Sequence, residues 1–137
     1  MIDPSLPLQA ALVAAIKAAG SVVGQKVYDK VPTTNGIVPE SLYPFVSLGP
    51  MSALDQSDTC HSVAEVSAQI DVWSRAVGGV QAKEIAALVL VALDAPLTVT
   101  GFAVVVHEVE IVRYGREPDG LTSRAIISMR YELTPTA

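Results

Sequence analysis

The stretch AQIDVWSRAVGGVQAKEIAALVLVALDAPL, residues 68–97, decides the fold. It opens with alternating apolar and polar residues, breaks at Gly78-Gly79, and then repeats apolar residues at helical spacing. A period of two fits a half-buried strand, and a spacing of three to four fits an amphipathic helix. The stretch therefore reads strand, break, helix. Extended back to Ser62, the strand sets Ala64, Val66, Ala68, Ile70 and Val72 on one face. Val63, Glu65, Ser67, Gln69, Asp71 and Trp73 share the other, mostly polar face. The helix is expected over Val80–Leu93, about 21 Å long at ~1.5 Å per residue. Ile85, Leu88, Val89 and Ala92 form its core stripe, Lys83 and Glu84 mark its wet side, and Asp94 and Pro96 stop it.

Upstream, residues 7–19 predict another helix, with Ser5 as N-cap, Pro7 in the first turn and Gly20 at its stop. Leu8, Leu12, Ala15, Ile16 and Ala19 give it an apolar stripe. The segment GQKVYDKVP (24–32) predicts a short strand, TTNGIVPESLY (33–43) a loop, and PFVSLG (44–49) a second short strand closed by Gly49-Pro50. MSALDQSDTCHS (51–62) reads as a polar, mobile excursion. Downstream, Phe102–Tyr114 and Thr122–Leu133 predict a hairpin around Pro118-Asp119-Gly120. Its arms reach roughly 36 Å at about 3.3 Å per residue, so its tip is expected to project. The order is α-β-β-β-α-β-β. Consecutive strands with tight turns favour an α+β fold with a mostly antiparallel sheet of four to five strands and both helices on one face.

The chain of 137 residues is expected to be a single domain spanning 1–137. Half the residues are apolar and 17% are charged, which excludes a disordered tail. That share is high for a small monomer, so part of the apolar surface is expected to be covered by other subunits. No apolar run is long enough to suggest a membrane span. The N-terminal segment, with Asp3, Pro4 and Pro7 and no basic start, is expected to be a mature helix rather than a secretory signal. The single cysteine, Cys60, fits a reducing site of synthesis. The net charge of −5 and the scattered basic residues argue against direct nucleic-acid binding.

Chemistry-bearing residues are sparse. Cys60-His61 could be a metal pair or a nucleophile with its base, but zinc needs three or four protein ligands and His107 is the only other histidine. The bland reading is a loop cysteine and a solvated histidine. Glu108 and Glu110, two apart, share a strand face and could do acid–base work. A solvated face, paired across strands with Arg124 or Arg130, is the simpler account. Trp73 beside Arg75 is either an interface anchor or the closed rim of the core. AVGGV lacks the lysine and spacing of a phosphate loop, and no G-x-S-x-G is present. No enzyme activity, cofactor or metal is expected.

In LQAALVAAIKA, KVYDKVP, YPFVSLG, the long stretch 64–97 and EPDGLTSRAIISMRYEL, the chain resembles the small tail-completion proteins of long-tailed phages and gene transfer agents, which include the tail terminators. DVWSRAVGGVQAKEIA is the most specific piece, whereas loop 51–62 matches no family feature. The resemblance implies a structural virion protein, assembled in the host cytoplasm. It implies a homo-oligomer, a hexameric ring on the head-proximal end of the tail tube, which stops tube polymerisation and docks the head connector. Genomic DNA would pass through the lumen unbound, and the acidic balance suits a bore not lined by Arg113, Arg124 and Arg130. Segments 33–40, 51–62 and 114–121 are expected to meet partners. Trp73, Arg75, Tyr114, Arg116, Glu117 and Asp119 are the interface candidates. Another neck component, such as a head–tail joining or stopper protein, is the alternative. A small ligand-binding or enzymatic α+β domain is a third reading and would need a concave pocket with convergent polar groups.

Overall fold

The computed structural model describes residues 1–136. Its elements follow the order α1 (Ser5–Lys17), β1 (Val27–Tyr28), a 3-10 turn (Glu40–Leu42), β2 (Phe45–Asp55), β3 (Ala64–Ser74), α2 (Val80–Asp94), β4 (Phe102–Arg116) and β5 (Ser123–Pro135). The five strands form one sheet in the order β1-β2-β3-β5-β4. All pairs are antiparallel except the short β1, which runs parallel to β2. The expected α+β architecture is present.

The alternation read in residues 64–72 sets the core. Ala64, Val66, Ala68, Ile70 and Val72 are all buried, and on the neighbouring strand so are Ala125, Ile127, Met129, Tyr131 and Leu133. Leu8, Leu12 and Ile16 of α1 and Ile85, Ala86, Val89 and Leu93 of α2 complete the same cluster, so both helices cover this inner face. Each of these large side chains contributes about 1.5–3 kcal/mol by leaving water. Among the described residues, no helix covers the opposite face of the sheet.

Four details differ from the sequence-based expectation. First, β2 does not stop at Gly49-Pro50. A bulge between Leu48 and Met51 absorbs them, and pairing resumes from Met51↔Ala68 to Asp55↔Ala64. Proline lacks a ladder donor but fits a bulge. Gly49 leaves room for the Gln69 side chain to cross it: a Cβ would lie 2.9 Å from Gln69 Nε2 and push that side chain aside. The expected excursion over 51–62 is therefore half strand. Its remainder is closed by Gln56 N–H to Val63 O (2.9 Å) and Asp58 N–H to His61 O (3.0 Å).

Second, α1 begins at Ser5, with Pro4 at the cap position. Asp3 takes the capping role by accepting from Ser5 N–H at 2.9 Å and from the Ser5 hydroxyl. Third, the buried stripe of α2 is Ala82, Ile85, Ala86, Val89 and Leu93, whereas Leu88 is 42% exposed. The helix is apolar nearly all round, so the sequence pattern alone could not fix its rotation. Fourth, the β4–β5 tip does not project. β3 accompanies β5 to Ser74↔Ser123, next to the Arg116↔Ser123 pair that closes the hairpin. Gly120, at φ 71°, ends the turn, and its N–H reaches Glu117 O at 3.0 Å.

Candidate interface surfaces

One end of the bare sheet face gathers aromatic and arginine side chains. Phe45 and Trp73 face each other across β2 and β3 and stack with ring centres 6.1 Å apart. Tyr43 tilts against Phe45 at 5.0 Å. Trp73 Nε1 donates to Ser47 Oγ at 2.9 Å. The Arg124 guanidinium lies 4.5 Å from the Trp73 ring centre and donates to Asp71 Oδ1 at 3.1 Å. Asp71 is only 4% exposed, and Gln69 Nε2 also donates to it, so the buried carboxylate has a charge partner and a neutral donor.

Arg75 ties three segments together. Its guanidinium sits 4.6 Å from the Tyr43 ring centre, donates to Glu40, and reaches Thr122 Oγ1 at 2.6 Å. It also faces Asp119 at 3.6 Å. Asp119 in turn accepts from the N–H groups of Leu121 (2.8 Å) and Thr122 (2.9 Å) and from the Thr122 hydroxyl (2.8 Å). Those backbone donors, Thr122 first, hold the Asp119 carboxyl below its ordinary range. Glu117 pairs with Arg124 at 3.7 Å.

The structure thus brings Trp73, Arg75, Glu117 and Asp119 into one network at this end of the sheet. Tyr114 and Arg116 lie apart from it. Tyr114, 47% exposed, faces the helix side, where Lys83 Nζ lies 5.5 Å from its ring centre. Arg116 is exposed and, among the described residues, has no ion-pair partner. Sequence reading missed Glu40, Ser47, Asp71 and Thr122 as members of the network. They approach only through the strand order, and no local pattern marks them.

Arg113, Arg124 and Arg130 all occupy the bare face, by the register of β4 and β5. Arg130 is ringed by Glu108 (2.6 Å), Glu132 (3.1 Å) and Glu65 (3.4 Å), and its first two partners push its pKa above an ordinary arginine's. The expected pairing of Glu108 with an arginine of β5 is therefore present. Glu110 sits in the bulge between Val109 and Ile111 and borders an open dip of about 210 Å³ shared with Gln69 and Ser128. Asp58 accepts from the N–H groups of Cys60 (2.8 Å) and His61 (2.7 Å), contacts that lower its pKa. His107 lies elsewhere, with Nε2 donating to Asp94 O at 3.0 Å, so the two histidines do not converge. The described residues contain no group of three or more His, Cys, Asp or Glu that could hold a metal.

Two further surfaces are apolar. On the helix side, Ala11, Ala14, Ala18, Ala92 and Leu97 border an open groove of about 460 Å³. Along the sheet margin, β4 exposes Val105, Val109, Ile111 and Tyr114 at 43–56%.

The family model described as "Tail completion protein gp17" matches residues 8–132. Among solved structures, the chain is similar to a component of the virion of a native gene transfer agent particle. The two share 28% identity and a TM-score of 0.82, over 98% of this chain and 99% of that one. It shares its fold with the gp17 protein of bacteriophage SPP1, at 24% identity and a TM-score of 0.59, covering 96% of this chain and 91% of that one. No curated protein matches it.

Proposed function

The chain belongs to the family of tail completion protein gp17, and from that premise we propose that it is a tail terminator. Identical copies close into a ring on the head-proximal end of a tail tube. The ring stops addition of tube subunits and gives the head connector a surface to dock on. The protein acts in the virion, by shape, and catalyses nothing. The observation that carries this reading is the distribution of apolar surface. A 15-residue margin strand and an alanine-lined helix groove stand open to solvent. Exposed apolar surface of that extent marks contacts between proteins.

The surface chemistry supports the same reading. The dip on the bare face bordered by Gln69, Glu110 and Ser128 is open rather than enclosed, unlike the concave pocket that a small-molecule site uses. Passage of DNA through the ring suits a chain of net charge −5, whose Arg124 and Arg130 are held in ion pairs. Paired guanidiniums release few counterions to a phosphate backbone and grip it weakly.

Electron microscopy of particles made without this chain tests the proposal. Overlong tails, joined to heads or not, are expected. Tails of normal length still joined to heads would overturn it. Tails of normal length without heads would move the role to another neck component.

A further inference from the structure

The sheet has two open margins. On one side lies β4, from Phe102 to Arg116. On the other lies the second half of β2, because β1 covers only Val46 and Ser47. From Leu48 to Asp55, β2 therefore has a neighbour on one side alone among the described residues. We infer that these two margins pair with each other between adjacent copies, β4 of one subunit beside β2 of the next, as the contact that closes the ring. The inference rests on the terminator reading and specifies its subunit contact.

Strand polarity comes first in the argument. β2 is antiparallel to β3, β3 to β5, and β5 to β4. β4 and β2 of one chain thus run in opposite directions. Two copies set side by side in the same orientation bring β4 next to an antiparallel β2, so the alternation of the sheet continues across the junction. A head-to-tail contact of this kind leaves a matching margin free on each outer side, which is the requirement for a closed ring.

Side-chain chemistry agrees. Soluble proteins guard their sheet margins with charges, especially lysine, or with proline and bulges, and the bulge at Gly49-Pro50 leaves Met51–Asp55 as the regular, open part of this one. Residues 45–54 of β2 contain no charged side chain at all, and Leu54 is 59% exposed. β4 presents Val105, Val109 and Ile111 beside it. Pairing β4 with a second β4 about a two-fold axis near its middle, at Val109, would set Glu108 of one copy against Glu110 of the other. Like charges facing each other in a ladder are unfavourable. Such a dimer would also leave the uncharged β2 margin wet.

Hydrogen exchange on rings released from particles, compared with dissociated chain, tests the inference. Amides of both 48–55 and 102–116 are expected to exchange more slowly in the ring, by roughly tenfold or more. Slowing in only one of the two segments, or in neither, overturns it. A Cys60→Ser background then separates the two kinds of pairing. Double variants joining Ser52→Cys or Leu54→Cys to Ile111→Cys or Arg113→Cys are expected to give oxidised ladders up to the full ring. A covalent dimer from Ile111→Cys or Arg113→Cys alone would show β4 against β4 and overturn the proposal. A ring by native mass without slowed exchange sinks only this contact. A chain that leaves the particle as a monomer, with no partner copies, sinks the ring itself.

Discussion

The guanidinium of Arg124 on β5 lies over the ring of Trp73 on β3, 4.5 Å from the ring centre, while donating to the buried carboxylate of Asp71 at 3.1 Å. One side chain thus covers the aromatic cluster and neutralises the charge beneath it. Truncating it leaves Asp71 buried with only Gln69 as side-chain donor. Arg124→Ala is expected to lower unfolding stability in urea by about 2 kcal/mol. Arg124→Lys should recover only part, because an ammonium neither stacks flat nor forks. In a double-mutant cycle with Asp71→Asn, a coupling near zero would show that the pair does not act together.

The β4–β5 turn is held by Asp119. Replacing Asp119 by alanine removes three hydrogen bonds at once and loosens Arg75. A drop in thermal midpoint is expected, whereas Arg116→Ala, exposed and without an ion pair among the described residues, should leave the unfolding free energy within about 0.5 kcal/mol of the parent. Arg116→Ala therefore tests assembly cleanly, while changes at Glu117 or Asp119 disturb the fold as well. Because backbone donors lower the Asp119 pKa, its contribution is present above the unfolded carboxylate pKa. It is lost as pH falls through the lower folded value. The stability difference between parent and Asp119→Asn should shrink with acidification below about pH 4. A difference unchanged by acid would show that the carboxylate charge is irrelevant to the turn.

Tyr131 is wholly buried, and its hydroxyl has no hydrogen-bond partner among the described residues. Tyr131→Phe removes that orphan without opening a large cavity, so it should be neutral or stabilise the fold by up to about 1 kcal/mol. Burial pushes the phenol pKa above its ordinary value. Above about pH 10 the unfolded chain ionises this tyrosine first, so the parent loses stability as pH rises. The phenylalanine variant should lose less, as followed by circular dichroism from pH 9 to 11. An equal alkaline loss in both proteins would contradict the assignment.

His107 joins β4 to the end of α2 through Asp94 O at 3.0 Å. His107→Ala should cost about 1 kcal/mol and speed amide exchange in the last turn of α2. Loss of stability without faster exchange there would mean that the imidazole acts elsewhere.

Much of this was legible in the chain itself. Alternation in 64–72 set out the core face of that central strand residue by residue, because a period of two can bury only one set of side chains. Pro118-Asp119-Gly120 placed the hairpin turn, and helical spacing placed α1 and α2 to within a few residues. The order of these patterns was enough for an α+β fold. Local pattern failed where a partner elsewhere in the chain overrode it. Gly49-Pro50 looks like a strand end and becomes a bulge only because Gln69 and Ala68 on β3 carry the ladder past it. Arg75 and Thr122, 47 residues apart, meet only because β3 and β5 are neighbours that finish together. The two open margins follow likewise from strand order, and strand order is fixed by the joint burial of all five strands and both helices. Periodicity records which face of each strand avoids water. Only the packed sheet decides which strands are left without a neighbour.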